Sequence, residues 1–552
     1  MKNEWFRMRK NSFVEGTVIA TVAIVLVKIM GMLYIIPFYA TIGIMGAALY
    51  AYAYNIYIIF LDISTAGIPI AMSKIVSEYH TLGMMDAKTR AFRIGRKLIG
   101  FIAVSAFILL FVFARSIATL ILGNLHGGNT IEDVTFVIRC ISFAVLVIPF
   151  LSVAKGYLQG HKFIAPSSKS QIIEQFIRII VILGGTLLAL RVFGLSLTTA
   201  IGIAVFGATA GGIAALIYIT SAIARNKEKL SLDKKYKEDK ITNKEIRKKI
   251  IRYAIPLIII NTTISIYALA DLVLINRTLN YLNFAAIDVE FITTSITAWA
   301  PKLYMIIGAL ATGMSVSIIP TISAAFAANK WDEITNKLNK GMQIILVVSI
   351  PMTVGISLLA LPIWTIFYGY NVVGAGILSF GIFIALFLNM CIVTTSTLQS
   401  LNKFKWIYIS TIVGFMLNVI LNVPLMLLFN YIGLKAYYGA ITSTLIGYTI
   451  TISIVLISLY KEHHMSYKET FKIFRQILIP TALMIIVVLG IQYLFPLNNH
   501  TKLNSILYGG TLSLIGAAVY ISIAYKMRIL ENIFGKEHLN KIIKKLTFGK
   551  IS

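Results

Sequence analysis

Apolar stretches of about 20 residues recur from one end of this chain to the other, and no other feature narrows its choice of fold so sharply. Val18 to Phe38, Leu98 to Phe113, Thr135 to Val153 and Ile344 to Leu361 are each roughly long enough to cross a ~30 Å hydrocarbon core as a helix. No period-two alternation with regular turn spacing accompanies them, which argues against an outer-membrane barrel. At 58% hydrophobic, 13% charged and a mean hydropathy of +0.83, the chain is too apolar for a water-soluble domain to bury. The first apolar stretch is as long as the later ones and lacks a small-residue cleavage pattern, so it is expected to be a first helix and not a signal peptide.

Fourteen transmembrane helices are expected, over residues 13–38, 46–73, 96–114, 133–154, 170–190, 199–223, 252–276, 296–323, 341–361, 372–398, 406–429, 437–460, 474–494 and 505–525. The fold class is therefore all-α, a polytopic membrane protein. A net charge of +28 would suit a nucleic-acid binder, but its distribution reads as topology, and no nucleic-acid partner is expected. With the N-terminus inside, Lys and Arg crowd the N-terminal arm (Lys2, Arg7, Arg9, Lys10), the stretch from Lys74 to Lys97, the 155–169 loop, the 225–252 linker and the C-terminal tail. The opposite loops hold only Arg115, Arg191, Arg277, Lys435 and Lys502. Both termini are accordingly expected in the cytoplasm.

The sequence repeats itself at an offset of 246 residues, pairing Gly67 with Gly313, Asp86 with Asp332, Gly95 with Gly341, Ile117 with Ile363, Thr119 with Thr365 and Gly123 with Gly369. A second match pairs Leu158-Gln159 with Leu398-Gln399 at the end of the fourth helix of each half. Two pseudo-symmetric six-helix lobes follow: an N-lobe over 1–224, a basic cytoplasmic linker over 225–251, a C-lobe over 252–460, and helices 13 and 14 with a basic tail over 461–552. Both lobes enter the membrane from the same side, as in transporters that rock two lobes about a midplane site.

Charges inside apolar helices mark candidate binding residues, since a lysine at a helix centre costs about 2.5–3.5 kcal/mol on insertion scales. Lys28 lies near the middle of helix 1, Asp62 deep in helix 2, Asp271 and Arg277 in the outer part of helix 7, and Lys302 in helix 8. These residues, with Asn55, are expected to line a central cavity; ion pairing or snorkelling is the competing account of each. Glu174 and Arg178, spaced i, i+4, read as a structural ion pair. Tyr50, Tyr54 and Tyr57 read as an interfacial aromatic belt or a sugar-stacking surface. Asn418 and Asn422 are cavity-lining or interhelical hydrogen-bonding residues.

Cys140 and Cys391 sit within expected helices and form no disulfide framework; His463 and His464 lack a third metal ligand nearby. The chain has no Gly-x4-Gly-Lys-Ser/Thr phosphate loop, and its outer loops are short and without a catalytic cluster. No enzyme, cofactor or metal is expected. Energy would come from the membrane potential, a cation gradient or consumption of the product.

Several segments together carry a family resemblance: Gly16-Thr17, Lys28-x-x-Gly31, Leu33-Tyr34-Ile35-Ile36-Pro37-Phe38, Gly67-Ile68-Pro69 through Lys74, Ser77-Glu78-Tyr79, and Glu174-Gln175-Phe176-Ile177-Arg178. The chain resembles, over essentially its whole length, the MurJ/SpoVB branch of the polysaccharide and multidrug exporter superfamily. The resemblance implies a flippase of the bacterial cytoplasmic membrane for an undecaprenyl-diphosphate-linked glycolipid, lipid II foremost. It also implies a cationic cavity in which Lys28 matches the first basic residue of helix 1, and a lipid-tail groove formed with helices 13 and 14. Where many members carry Arg-x-x-Gly-x-x-Arg-Asp, this chain has Lys28-Ile-Met-Gly31-Met-Leu-Tyr34-Ile35, leaving Arg277 or Lys302 to supply further charge. Other cell-wall synthesis proteins are candidate partners besides membrane lipids. The alternatives are a flippase for another undecaprenyl-linked polysaccharide unit, a multidrug or cation antiporter using Asp62 and Asp271, and an envelope-assembly scaffold.

Overall fold

A computed structural model describes residues 13–65, 67–123, 128–161, 163–230, 239–497 and 500–534, which contain helices and no strand. The basic N-terminal arm, residues 231–238 of the linker and the tail beyond residue 534 lie outside the described residues. In the first part of the chain the helices are α1 (Phe13–Leu33), α2 (Ile35–Thr65), α3 (Ile68–Thr81), α4 (Met85–Val112) and α5 (Ala114–Leu122). They continue as α6 (Ile131–Gly160), α7 (Ile164–Ile180), α8 (Leu197–Arg225), α9 (Asn243–Tyr281) and α10 (Ala286–Thr294). After these come α11 (Ala300–Ala327), α12 (Trp331–Leu358), α13 (Ala360–Tyr368), α14 (Val372–Gly381) and α15 (Phe383–Ser400). The last five are α16 (Phe404–Tyr431), α17 (Ala436–His463), α18 (Lys468–Leu494), α19 (Lys502–Lys526) and α20 (Ile529–Phe534). Short π-helical turns extend α7 (Val181–Gly185, Leu188–Val192) and follow α10 (Ser295–Trp299).

Eleven helical segments among the described residues are long and apolar enough to cross a membrane, against the fourteen expected. The other three expected positions are occupied by α1, α9 and the run from α10 into α11. Two compact units divide the chain, Met1–Ala298 and Trp299–Ser552, so α9 and α10 pack with the first unit.

Helix ends differ from expectation where glycine changes the backbone. The first expected helix, 13–38, spans α1 and the opening of α2 with a single turn residue, Tyr34, whose N–H still bonds to the Met30 carbonyl at 3.3 Å. Within α2, Gly43 adopts φ +63°, a left-handed conformation that L side chains resist, although a Cβ there would meet nothing within 4 Å. Conformation, not space, calls for glycine at that position. The second expected helix, 46–73, is broken near Gly67, and α3 restarts with proline in its first turn, where a missing N–H is harmless. A Cβ on Gly67 would stand 2.6 Å from the Ala254 carbonyl oxygen of α9, so this glycine permits close approach of a neighbouring backbone.

The repeat is visible atom by atom. Helices α4 and α12 each run 28 residues, and α5 and α13 each run nine, with the pairs offset by the same 246 residues. Both short helices end on a left-handed glycine, Gly123 (φ +60°) and Gly369 (φ +88°). Thr119 donates to the Arg115 carbonyl at 3.0 Å and Thr365 to the Leu361 carbonyl at 2.8 Å. A Cβ on Gly95 would press on Met72, and one on Gly341 would press on Ile318, residues that are themselves repeat partners. The two halves thus share their helix lengths, caps and contact points.

The linker is strapped beneath the first unit. Lys88 is fully buried and donates to the Leu230 carbonyl at 2.9 Å, while Asp239 accepts from the Ala87 N–H at 2.8 Å. Lys249 pairs with Glu78 at 2.6 Å, and a Thr242–Glu245 capping box opens α9.

Candidate functional site

The densest buried charge in the first unit lies on α6 and α7. Glu174 accepts from Arg178 at 2.7 Å and from Lys155 at 3.0 Å, with all three side chains 12–15% exposed. One turn of helix aligns Glu174 with Arg178, whereas Lys155 arrives from the preceding helix. The cluster carries one net positive charge. Closeness of α7 to α8 depends on small residues: a Cβ on Gly211 would lie 2.4 Å from the Glu174 carbonyl oxygen, and one on Gly207 would lie 3.0 Å from that of Arg178.

Tyr50, Tyr54 and Tyr57 recur at i, i+4, i+7 along one face of α2 and stand around the Arg178 guanidinium. Tyr50 and Tyr54 stack at 5.7 Å. Tyr50 and Tyr57 are 3% and 0% exposed, so they are not a lipid-facing belt; the stripe turns inward because a guanidinium offers it a polar partner. The Tyr57 hydroxyl is fully buried beside the Arg178 guanidinium, so the two polar groups face each other within this nest.

Lys28 is half-buried on α1, and no charged partner acts on it among the described residues. Gly31, one turn further along the same face, meets the Gln175 amide of α7: a Cβ there would stand 3.3 Å from its Nε2. Lys28 therefore belongs to the side of α1 that packs against the helix carrying Glu174 and Arg178. Asn55 and Asp62 lie on another face of α2. Asn55 is 4% exposed and donates to Thr297 at 3.4 Å; Asp62 accepts from the Ser265 hydroxyl of α9. Asp271 is buried further along α9.

Arg277 is exposed and donates to the Leu120 carbonyl at 3.1 Å, beside Asn276, which donates to the Ile121 carbonyl at 3.3 Å. The two residues satisfy the open carbonyls at the C-terminal end of α5, a position that favours positive charge. Lys302, in the second unit, is half-buried with its ammonium 4.6 Å above the Trp299 ring. The structure thus brings Glu174 and Arg178 together with the tyrosine stripe, and sets Arg277 to holding α5.

Two residues escaped the sequence reading. Lys155 was assigned to a cytoplasmic loop, but α6 continues to Gly160 and carries it into the ion cluster. Glu290, which falls between the expected helices 252–276 and 296–323, is fully buried in α10.

The second unit offers a different surface. Val347, Pro351, Met484, Val488, Leu512 and Tyr520, from α12, α18 and α19, line an apolar cavity of about 390 Å³. Asn418 of α16 is fully buried and donates to Ser443 at 3.3 Å and Thr444 at 3.0 Å.

Residues 13–326 match the polysaccharide biosynthesis protein family, and residues 256–423 match the MatE family. The chain is 32% identical over 538 residues to the lipid II flippase MurJ of Bacillus subtilis (strain 168), covering 95% of this chain and 97% of that protein. The chain belongs to the MurJ family. A solved structure of lipid II flippase MurJ in an inward closed conformation superposes with a TM-score of 0.64 at 18% identity, covering 91% of this chain and 98% of that one. An inward-facing multidrug resistance MATE transporter superposes with a TM-score of 0.61 at 13% identity, covering 80% of this chain and 99% of that one. These two likenesses establish the fold: a multi-pass, all-helical transporter architecture of MurJ and MATE type. The MurJ relationship covers both repeats and continues through α18 and α19.

Proposed function

We propose that this MurJ-family protein is a transporter and not an enzyme, and that it flips lipid II, an undecaprenyl-diphosphate-linked peptidoglycan precursor, from the inner to the outer leaflet of the bacterial cytoplasmic membrane by alternating access. The observation that carries the reading is the end-to-end relationship to a lipid II flippase at 32% identity. The chemistry of the first unit fits that cargo. A diphosphate is rejected by hydrocarbon and needs cations in a polar enclosure; Lys28 is a half-buried ammonium with no carboxylate partner among the described residues, set on the face of α1 that meets α7. Tyr54, the half-buried member of the stripe, offers a ring for a sugar face. The apolar cavity between α12, α18 and α19 suits an isoprenoid tail. In this reading both termini lie in the cytoplasm, the halves over 1–224 and 252–460 are the moving lobes, and the membrane potential or a cation gradient drives the cycle. Lys28, Asn55, Asp62, Asp271, Arg277 and Lys302 are its candidate cargo-facing residues, and cell-wall synthesis enzymes are its natural neighbours.

The test is translocation in vesicles containing purified protein, offering lipid II, another undecaprenyl-linked glycan, or a cationic drug. Export of lipid II is the expected result; movement of only the other glycan or only the drug replaces this reading with a polysaccharide-unit flippase or a MATE-type antiporter. Lys28→Ala is expected to abolish rescue of cells depleted of their native flippase. Full rescue would remove Lys28 from the site.

A further inference from the structure

Arg139 is a cation on the outward face of α6. Glu132, Phe136, Arg139 and Phe143 recur at i, i+4, i+7, i+11 and are all exposed, so they form one stripe along that helix. The stripe begins in water, where Glu132 pairs with Arg115 and both side chains are more than 70% exposed. It then descends among phenylalanines of α4 and α8: Phe143 lies 5.2 Å from Phe107, 6.2 Å from Phe111 and 6.2 Å from Phe206. Phe111, Phe136, Phe143 and Phe206 are 37–42% exposed, and in a multi-pass membrane protein such a wall of rings meets hydrocarbon.

The guanidinium is held but not neutralised. Its Nε donates to the Phe111 carbonyl at 3.4 Å, in the last turn of α4, and its central carbon stands 5.4 Å from the Phe111 ring. Arg139 makes no ion pair among the described residues, and the acids nearest in sequence are committed, Glu132 to Arg115 and Asp133 to Thr130 and Thr198. The repeat shows that this carbonyl needs no cation. Arg139 and Ser379 each stand nineteen residues before the leucine of a Leu-Gln pair, and Phe111 and Ser357 are separated by the 246-residue offset. In the second unit Ser379 Oγ donates to the Ser357 carbonyl at 3.0 Å. A neutral hydroxyl does there what Arg139 Nε does in the first unit, so the charge of Arg139 and its two Nη groups are surplus to the bond.

Depth selects what those groups meet. Helix α6 runs 30 residues, about 45 Å, enough to cross a bilayer with its headgroup regions. Arg139 follows Ile131 by eight residues, about 12 Å along the axis, which sets its Cα roughly 5 Å inside the hydrocarbon edge with Cβ tilted back towards the helix start. An arginine side chain covers that distance by snorkelling. Lipid phosphate stands at that edge throughout the leaflet, and the paired nitrogens of a guanidinium grip it in bidentate fashion. A carboxylate at the same depth would require a second protein.

We propose that Arg139 and the phenylalanine wall form a phospholipid site on the membrane face opposite the linker, in which the Nη groups hold the phosphodiester and an acyl chain lies over Phe143 and Phe206. The test is native mass spectrometry of the purified full-length protein after incubation with phosphatidylglycerol, with diacylglycerol of the same chains, or with inorganic phosphate. No lipid II is present, so the result does not depend on the cargo reading. Wild-type protein is expected to retain one phosphatidylglycerol more than Arg139→Ser, which carries the residue that the second unit uses, and to show no such difference with the other two probes. Arg139→Gln, which keeps a donor without the charge, is expected to lose the same lipid, and it decides the matter should the serine variant not fold. Equal phosphatidylglycerol retention by wild type and the folded variants overturns the site, as does the same difference with diacylglycerol or with inorganic phosphate. So does Arg139-dependent association with a leucine-rich transmembrane peptide carrying one glutamate, in place of any lipid difference, which would make the wall a helix-docking face.

Discussion

Helices α7 and α16 are repeat partners that begin alike and are filled differently. Each follows a turn in which an N–H bonds back to the leucine of the Leu-Gln pair, Phe163 to Leu158 at 3.0 Å and Lys403 to Leu398 at 2.9 Å. Aligned on those starts, Glu174 falls opposite Gly414, Arg178 opposite Asn418, and Lys155 of α6 opposite Thr395 of α15. The first half therefore buries an ion triad where the second half buries an amide bonded to two hydroxyls. The tyrosines follow the same rule: positions 50, 54 and 57 correspond to Ile296, Ala300 and Leu303. One backbone plan thus supports a charged nest in one half and a neutral hydrogen-bonded core in the other, which separates what the fold requires from what this half was adapted to do.

The sharpest way to break the comparison is Glu174→Ala. It leaves Lys155 and Arg178 buried without their acid, and is expected to cost about 3–5 kcal/mol, read as a large drop in unfolding temperature. Replacing the whole triad with neutral residues, Lys155→Thr and Arg178→Asn as in the second half together with Glu174→Ala, is expected to cost less, about 1–3 kcal/mol, because no charge is stranded. If the nest serves cargo, that folded triple variant fails in the vesicle assay; retained transport would make the triad a purely structural feature. Asn418→Ala in the second half is expected to cost only about 1 kcal/mol, since Ser443 and Thr444 keep bonds to the Ala440 carbonyl. An Asn418 effect as large as that of Glu174 would erase the distinction between the halves.

Much of this architecture was legible without coordinates, for identifiable reasons. Apolar length announces a spanning helix, and a gap-free repeat survives because helix ends and close contacts, as at Gly95 and Gly341, tolerate few substitutions. The Glu174–Arg178 pair was readable because i, i+4 spacing is local. Lys155 was not, because its partner lies 19 residues away across a turn, and only the packing of α6 on α7 joins them. The tyrosine stripe had the right period but no stated direction; its inward orientation depends on which helix α2 faces. Glu290 fell between the expected helices because it stands in a short run with acids on either side of an apolar residue, and its burial arises from α2 and α9 closing around α10. Arg277 shows the converse: its charge was plain in the sequence, but its bond to the Leu120 carbonyl at the end of a neighbouring helix was not.

The apolar cavity of the second unit has a practical consequence. Its walls come from α12, α18 and α19, and residues such as Ile521 and Leu530 extend them towards the helix ends. Hydrocarbon there acts as solvent for the protein, so the surfactant chosen for purification becomes part of the fold's environment: long, flexible chains can follow the groove, whereas short ones leave its walls to collapse on one another.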